Sequence, residues 1–411
     1  PVEVTQEEVA KAVHYLSQIE ANGGTNIRDA LLEAVRPDPI GEALPLVLFL
    51  TDGLPTVGER NEVKIRETVA AANDDNRCIF TFGVGADVNV PLLSALSTSS
   101  RGATSIVTPG EDVETSVSRV FARLDGPVLL EPELATTGGL RLLDIAPGVL
   151  PDMFKGEQLV IFGRYKTGEE KDVTAQLTLS GRAGDKELET AVTLDPAAAS
   201  ESHSYIRRLW AGRRISMLGD QIRQAQADGS MSEDSMKEIV DEIVRLSLEH
   251  GVLTEYTAFL ARESTDMREG LAGIAPASPA AEILRERAGG ATAGQQKEKN
   301  AKNQQIAATN TAAYYSRAME EQRVMAVQNI AGRGYFKRGD RWVQGEVLAK
   351  KEREPDRTVE FGTEAYTKLL ESLTKLGRQA ELAQGGDILL LVEKELILVK
   401  AAKDEKESSK K

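Results

Sequence analysis

Apolar residues recur along the first part of the chain with two different rhythms. Val9, Val13, Leu16 and Ile19 fall at helical spacing behind Thr5 and Glu8, a pair that forms a capping box. Gly23 and Gly24 end that helix, Thr25 follows, and Ile27–Val35 predicts a second helix stopped by Pro37. Leu46–Leu50 is an unbroken apolar run without alternation, which marks a strand buried on both faces, as parallel sheets require. Asn61 caps a helix with Ile65, Val69 and Ala72 inward, and Ile79–Val84 is another buried strand. Pro91 opens a helix through Leu96, Ser105–Val107 is a short strand, and Val113, Val117, Val120, Phe121 and Leu124 complete a last amphipathic helix. Alternating strands and helices predict a doubly wound, Rossmann-like parallel sheet with right-handed crossovers.

The rhythm changes at Gly126. Val128–Leu134, Leu140–Ile145, Gln158–Tyr165, Val173–Ser180 and Leu188–Leu194 are short strands divided by Gly-rich turns, with no helical crossovers between them. They predict antiparallel structure. Helices follow around Ile206–Ala211 and Ile239–Glu249, flanking a loop at Asp228-Gly229. Arg262–Asn329 is rich in Ala, Gln, Asn, Gly and Lys and predicts a linker with helical pieces, the best around Ala312–Val327. Gly334–Val343 predicts a hairpin, Tyr366–Leu376 a helix and Ile388–Val399 a strand pair. The expected organisation is an α/β domain over 1–124, an antiparallel β region over 125–200, helices over 201–262, a linker over 263–330, a small α+β domain over 331–400 and a disordered tail over 401–411.

Composition narrows the chemistry. Acidic residues outnumber basic ones by 64 to 50 in 411 residues, so a nucleic-acid-binding face is not expected. No apolar run reaches the length of a membrane span. Cys78, the single cysteine, opens an apolar strand and is expected to be buried. His14, His203 and His250 are too scattered in sequence for a zinc site.

Two residues carry candidate chemistry. Thr25 sits in a Gly-rich loop entering a helix, and Asp52 sits where the apolar strand stops at Thr51-Asp52-Gly53. In parallel sheets ligands bind outside the carboxyl ends of the strands. A hydroxyl and a carboxylate brought together there are hard oxygen donors, suited to Mg²⁺ or Ca²⁺. The bland readings are an N-cap for Thr25 and a turn for Asp52.

Gly23-Gly24-Thr25-Asn26-Ile27, spaced before Phe49–Glu59, resembles a von Willebrand factor type A domain, of the kind found in inter-alpha-trypsin inhibitor heavy chains and their bacterial relatives. The resemblance continues in Leu150–Gly156, Phe162–Tyr165 and Gly251–Ala261. It implies a metal-ion-dependent adhesion site holding Mg²⁺, Ca²⁺ or Mn²⁺, in which Thr25 and Asp52 match two ligand positions. The family's first ligand element, an Asp-x-Ser-x-Ser following the sheet's first strand, is not found ahead of Thr25; the same pattern occurs at Asp228–Ser232, in the loop between two predicted helices, where it does not follow a strand. With only three parallel strands in sight, the expectation is a sheet lacking its first strands and a site that binds metal weakly. The resemblance further implies a non-enzymatic protein-binding or adhesion function, a protein partner with an exposed carboxylate, and a location outside the cell, in the periplasm or in the cell envelope. The alternatives are a structural envelope or assembly module with a vestigial site, or an enzyme on a Rossmann-like sheet.

Three other motifs have plainer explanations. Phe82–Asp87 lacks the third Gly of a dinucleotide loop and reads as a strand-to-helix turn. Arg338-Gly339-Asp340 sits where a hairpin needs a turn. Trp210 among Arg207, Arg208, Arg213 and Arg214 reads as core, with the arginines pairing surplus carboxylates.

Overall fold

The unbroken apolar run forms β1 (Leu46–Thr51), which pairs in parallel with β2 (Cys78–Val84), itself paired with β3 (Thr104–Val107). The computed structural model describes residues 3–20, 23–39, 44–85, 87–107, 111–115, 117–118, 126–168, 175–184, 186–200, 203–253, 290–305, 311–315, 321–348 and 354–401. The chain divides into two units, Pro1–Ala122 and Arg123–Lys411.

In the first unit four helices accompany the sheet: α1 (Gln6–Ser17), α2 (Ile27–Val35), α3 (Glu62–Ala72) and α4 (Val90–Ser99). Asparagine caps three of them, with the side chains of Asn26, Asn61 and Asn89 accepting from backbone N–H groups in the first turn. Ile27, Leu31 and Val35 of α2 and Ile65 and Val69 of α3 share one core with Val47, Ile79, Leu92 and Leu96. Cys78 is buried at the start of β2. Thr5 caps α1 as its position predicts, accepting from the Glu8 N–H at 3.2 Å. The expected inward face of that helix is a different matter. Val9, Val13 and Leu16 are 48%, 61% and 64% exposed, and α1 buries no residue at all. Of the last expected helix of this unit, 113–115 and 117–118 are helical, and the remainder lies outside the described residues.

In the second unit β4 (Pro127–Thr136) is the pivot of an antiparallel sheet. Its order is β6 (Met153–Phe154), β4, β8 (Ala175–Ala183), β9 (Lys186–Leu194). β5 (Arg141–Ala146) pairs separately with β7 (Phe162–Lys166). Two long helices follow, α5 (Tyr205–Asp228) and α6 (Glu233–His250), with Gly229 in the left-handed conformation between them. Trp210, Ile215, Leu218 and Ile222 of α5 pack on Met236, Val240 and Ile243 of α6. Trp210 is therefore core, and its indole N–H donates to the Asp144 carbonyl at 3.0 Å. Arg214 pairs with the Asp144 carboxylate at 3.2 Å. Arg213 departs from the expected carboxylate pairing and donates to the backbone carbonyls of Val160, Lys302 and Asn303.

The region expected to be a linker needs correction. Residues 254–289, which include most of the Gly251–Ala261 stretch, lie outside the described residues. α7 (Gly290–Gln304) follows, but Ala312–Val327 is not helical. It forms β10 (Thr311–Tyr315) and much of β11 (Glu321–Ile330). These strands lead a seven-stranded sheet that continues through β12 (Arg333–Arg338), β13 (Arg341–Gln344), β15 (Asp387–Val392), β16 (Glu395–Lys400) and β14 (Arg357–Glu360). The expected boundary at 330 thus falls between two paired strands, β11 and β12. α8 (Gly345–Leu348) and α9 (Glu364–Lys375) complete this part. Tyr335, Val359, Leu369, Leu373, Leu390 and Ile397 form its core. Inside it the Tyr335 hydroxyl donates to Glu381 at 2.6 Å, and Arg378 holds the same carboxylate through two bonds of 2.8 Å. The predicted hairpin turn at Arg338-Gly339-Asp340 joins β12 to β13, with Gly339 at φ +59. Of the expected disordered tail, 402–411 lies outside the described residues.

The end of α6 meets β12 and the start of α8 backbone to backbone. At Gly345 an added Cβ would overlap the Leu248 carbonyl, and at Gly334 it would press on the Gly251 amide. Only glycine permits so close an approach.

Candidate functional site

The carboxyl edge of the first unit's sheet is shaped by two loops that hold each other. β1 ends at Thr51, whose hydroxyl lies 3.4 Å from both the amide and the carbonyl of Gly53. Asp52 stands between them and is exposed. The chain then doubles back through Leu54–Gly58. The Thr56 and Val57 amides donate to the Thr25 carbonyl at 2.9 and 3.1 Å, and the Thr25 amide donates to the Thr56 hydroxyl at 2.8 Å. Three bonds therefore tie the Thr25 loop to the Asp52 loop. The Thr25 hydroxyl oxygen lies 3.4 Å from where a Cβ on Gly53 would stand, so it adjoins the residue that follows Asp52. Gly24 is required beside it, because a Cβ there would collide with the Val57 side chain and lie 2.6 Å from the Thr56 hydroxyl oxygen.

Thr25 is not the cap of α2. That role belongs to Asn26, whose side-chain oxygen accepts from the Asp29 amide at 3.3 Å while its amide group donates to the Asp29 carboxylate at 2.8 Å. The hydrogen bond from Arg28, reinforced by Asn26, holds the Asp29 carboxyl below its ordinary range, so it is ionised. The neighbouring Glu59 carboxyl is lowered as well, chiefly by the amide of Asn61, which donates to it at 2.8 Å. The bland capping role is thus filled by a neighbour, and the Thr25 hydroxyl stands beside Gly53.

Gly83 and Gly85, on the same edge, do not form a phosphate cradle. A Cβ at Gly83 would meet the side chains of Ile106, Val88 and Leu93, and the Gly85 amide donates to the Val107 carbonyl at 2.9 Å. Both glycines serve strand packing and the turn toward α4.

The donor set fits a hard cation in type and falls short in number. Thr25 and Asp52 offer a hydroxyl and a carboxylate, whereas Mg²⁺ or Ca²⁺ takes about six oxygens or more. Among the described residues no group of three or more His, Cys, Asp or Glu is placed to hold a metal ion. Sequence reasoning singled out Thr25 and Asp52 and quoted Thr56 only as part of the motif, not as the residue that ties the two loops. Its partner Thr25 lies 31 positions away, a separation that no local pattern reveals.

Comparison with known proteins shows what this part of the chain resembles. The model of the von Willebrand factor type A domain matches residues 1–106. Inter-alpha-trypsin inhibitor heavy chain H2 of Sus scrofa is 26% identical over 294 residues, which cover 67% of this chain and 30% of that protein. Heavy chain H4 of Homo sapiens is 27% identical over 294 residues, covering 65% of this chain and 30% of its own. A solved structure of a von Willebrand factor type A protein from Catenulispora acidiphila aligns with a TM-score of 0.43 at 14% identity, covering 74% of this chain and 76% of that one. On the match of that family model, residues 1–106 form a von Willebrand factor type A segment. Over about two-thirds of its length the chain is homologous to the inter-alpha-trypsin inhibitor heavy chains, and it spans 30% of the length of those relatives. Among the described residues no helix is long and apolar enough to cross a membrane.

Proposed function

We propose that the chain is a binding protein and not an enzyme, and that its first unit contributes Thr25 and Asp52 to a divalent-cation-dependent contact with a protein partner. The observation that supports this reading is the tie between the Thr25 loop and the loop that follows Asp52, three hydrogen bonds that join the two backbones at the sheet's carboxyl edge. Bound there, Mg²⁺ would supply positive charge with open coordination positions, and an exposed carboxylate of the partner would fill one of them. Two protein donors leave most of the coordination to water and partner, so the free chain binds Mg²⁺ weakly and the complex binds it better. The same reading puts the chain outside the cytoplasm, in the envelope or beyond it.

A second reading, an assembly module that works without metal, draws on the small donor set. One experiment decides between them. Under the metal-dependent reading, chelation with EDTA and Asp52→Ala each weaken partner binding by about tenfold or more, roughly 1.4 kcal/mol. Calorimetry on the free chain then shows little heat with Mg²⁺. Partner binding that survives both EDTA and Asp52→Ala establishes the metal-free module.

A further inference from the structure

A cavity of about 520 Å³ lies in the second unit, between its helices and the first strands of the seven-stranded sheet. That volume falls among those of small-molecule sites, roughly 300–1,000 Å³. Leu209 of α5, with Val252 and Leu253 just after α6, gives it an apolar floor of buried side chains. Its walls are charged. Arg208 comes from α5, Glu298 and Lys302 come from α7, and Glu321 opens β11. Glu298 is only 7% exposed and pairs with Lys302 one turn on. Gln304 and Gln305 add side-chain amides.

The wall made by α7 is fixed before any ligand arrives. That helix carries no apolar side chain larger than alanine, so polar contacts hold it on α5. Arg213 donates to the carbonyls of Lys302 and Asn303 and clamps the last turn. Lys299 pairs with Asp220 at 2.6 Å, and Arg223 donates to Gln295 at 2.6 Å, which fastens the earlier turns. A site with preset walls loses little affinity to ordering.

Charge selects what fits. Arg208 and Lys302 balance Glu298 and Glu321, so a ligand with net charge of either sign meets repulsion along with attraction, whereas a zwitterion can satisfy both signs. Burial lowers the Arg208 guanidinium to about 10, which leaves it charged at neutral pH. A guanidinium has several N–H donors and a carboxylate several acceptor sites, so Arg208 and Glu298 can each take a ligand group while keeping contacts within the chain. We infer that the cavity binds a short zwitterionic peptide with large apolar side chains. Its carboxylate sits on Arg208, its ammonium at Glu298 and Glu321, its peptide group on the glutamine amides, and its side chains on Leu209, Val252 and Leu253. Thr25 and Asp52 take no part, so this site stands whether or not the first unit binds a cation.

Isothermal calorimetry on the full chain tests this with Leu-Leu, N-acetyl-Leu-Leu, Leu-Leu-amide and Gly-Gly. Leu-Leu should bind with a Kd of about 0.1 mM, and each of the other three about tenfold more weakly or worse. Arg208→Gln should weaken Leu-Leu about tenfold and leave Leu-Leu-amide unchanged. Ala301→Trp places a large ring at an exposed position of α7 that lines the cavity, and should abolish binding with circular dichroism unaltered. No heat with Leu-Leu would overturn the inference. So would an acetylated, amidated or glycine probe that binds as tightly as Leu-Leu, or Leu-Leu binding that survives Ala301→Trp.

Discussion

His250 ends α6 with its ring buried, its edge against Trp210 and its Nδ1 3.4 Å from the Gly332 carbonyl. Burial lowers its pKa from the ordinary value of 6.5, with Arg207 and Arg245 adding to the effect and Glu249 opposing it. The folded chain therefore favours the neutral ring, and the unfolded chain takes up the proton at higher pH. The stabilisation is complete above the unfolded value and is lost as pH falls through it toward the folded one. The second unit should unfold at lower urea at about pH 5.5 than at about pH 7.5, and His250→Gln should narrow that difference. At this scale the sequence was informative where chemistry is local. Thr25 and Asp52 drew notice because one follows two glycines at a helix entrance and the other ends an apolar strand, both local patterns. Thr56 did not, since its role exists only once two distant loops meet.

Among the elements, α1 and β1 each leave apolar surface unburied. α1 has its cap and its periodic stripe, yet Val13 and Leu16 lie open. β1 is the outer strand of its sheet, and its apolar run lacks the charges, bulges and prolines that usually blunt such edges. Helix existence was readable from periodicity, whereas burial depends on a packing partner, which periodicity does not supply. Val13→Lys/Leu16→Lys should change stability by less than about 0.5 kcal/mol, because nothing is buried there. It should reduce self-association, measured by light scattering. The opposite error occurred at β11. Its Ala, Gln and Glu content favours helix, but pairing with β10 and β12 holds it extended, and its exposure alternates from Glu321 to Ala326 in the period of two that a strand imposes.

For the whole molecule, each unit carries a core of its own. The first is built on Ile27, Leu31, Ile65 and Ile79, and the second on the α5–α6 pair and the seven-stranded sheet. Calorimetry should resolve two transitions, and a single one with equal calorimetric and van't Hoff enthalpies would refute this independence. The parallel α/β class of the first unit and the antiparallel region after it were legible, because strand composition and the presence or absence of crossover helices separate them. The extent of the last sheet was not, since its strands come together from distant stretches of chain, β13 beside β15 and β14 beside β16.

The backbone contact of Gly345 and Gly334 with the end of α6 has a consequence for reading variation in this protein. Almost every base change in a glycine codon that alters the residue introduces a Cβ. At these two positions that atom has nowhere to go. A deep mutational scan would score them as intolerant as any buried leucine, while exposed Asp52 would tolerate replacement in any assay that reads only folding. A map of intolerance drawn from abundance would trace the seam between helix and sheet and pass over the binding edge. Selection for partner capture is the screen that would bring Thr25 and Asp52 into view.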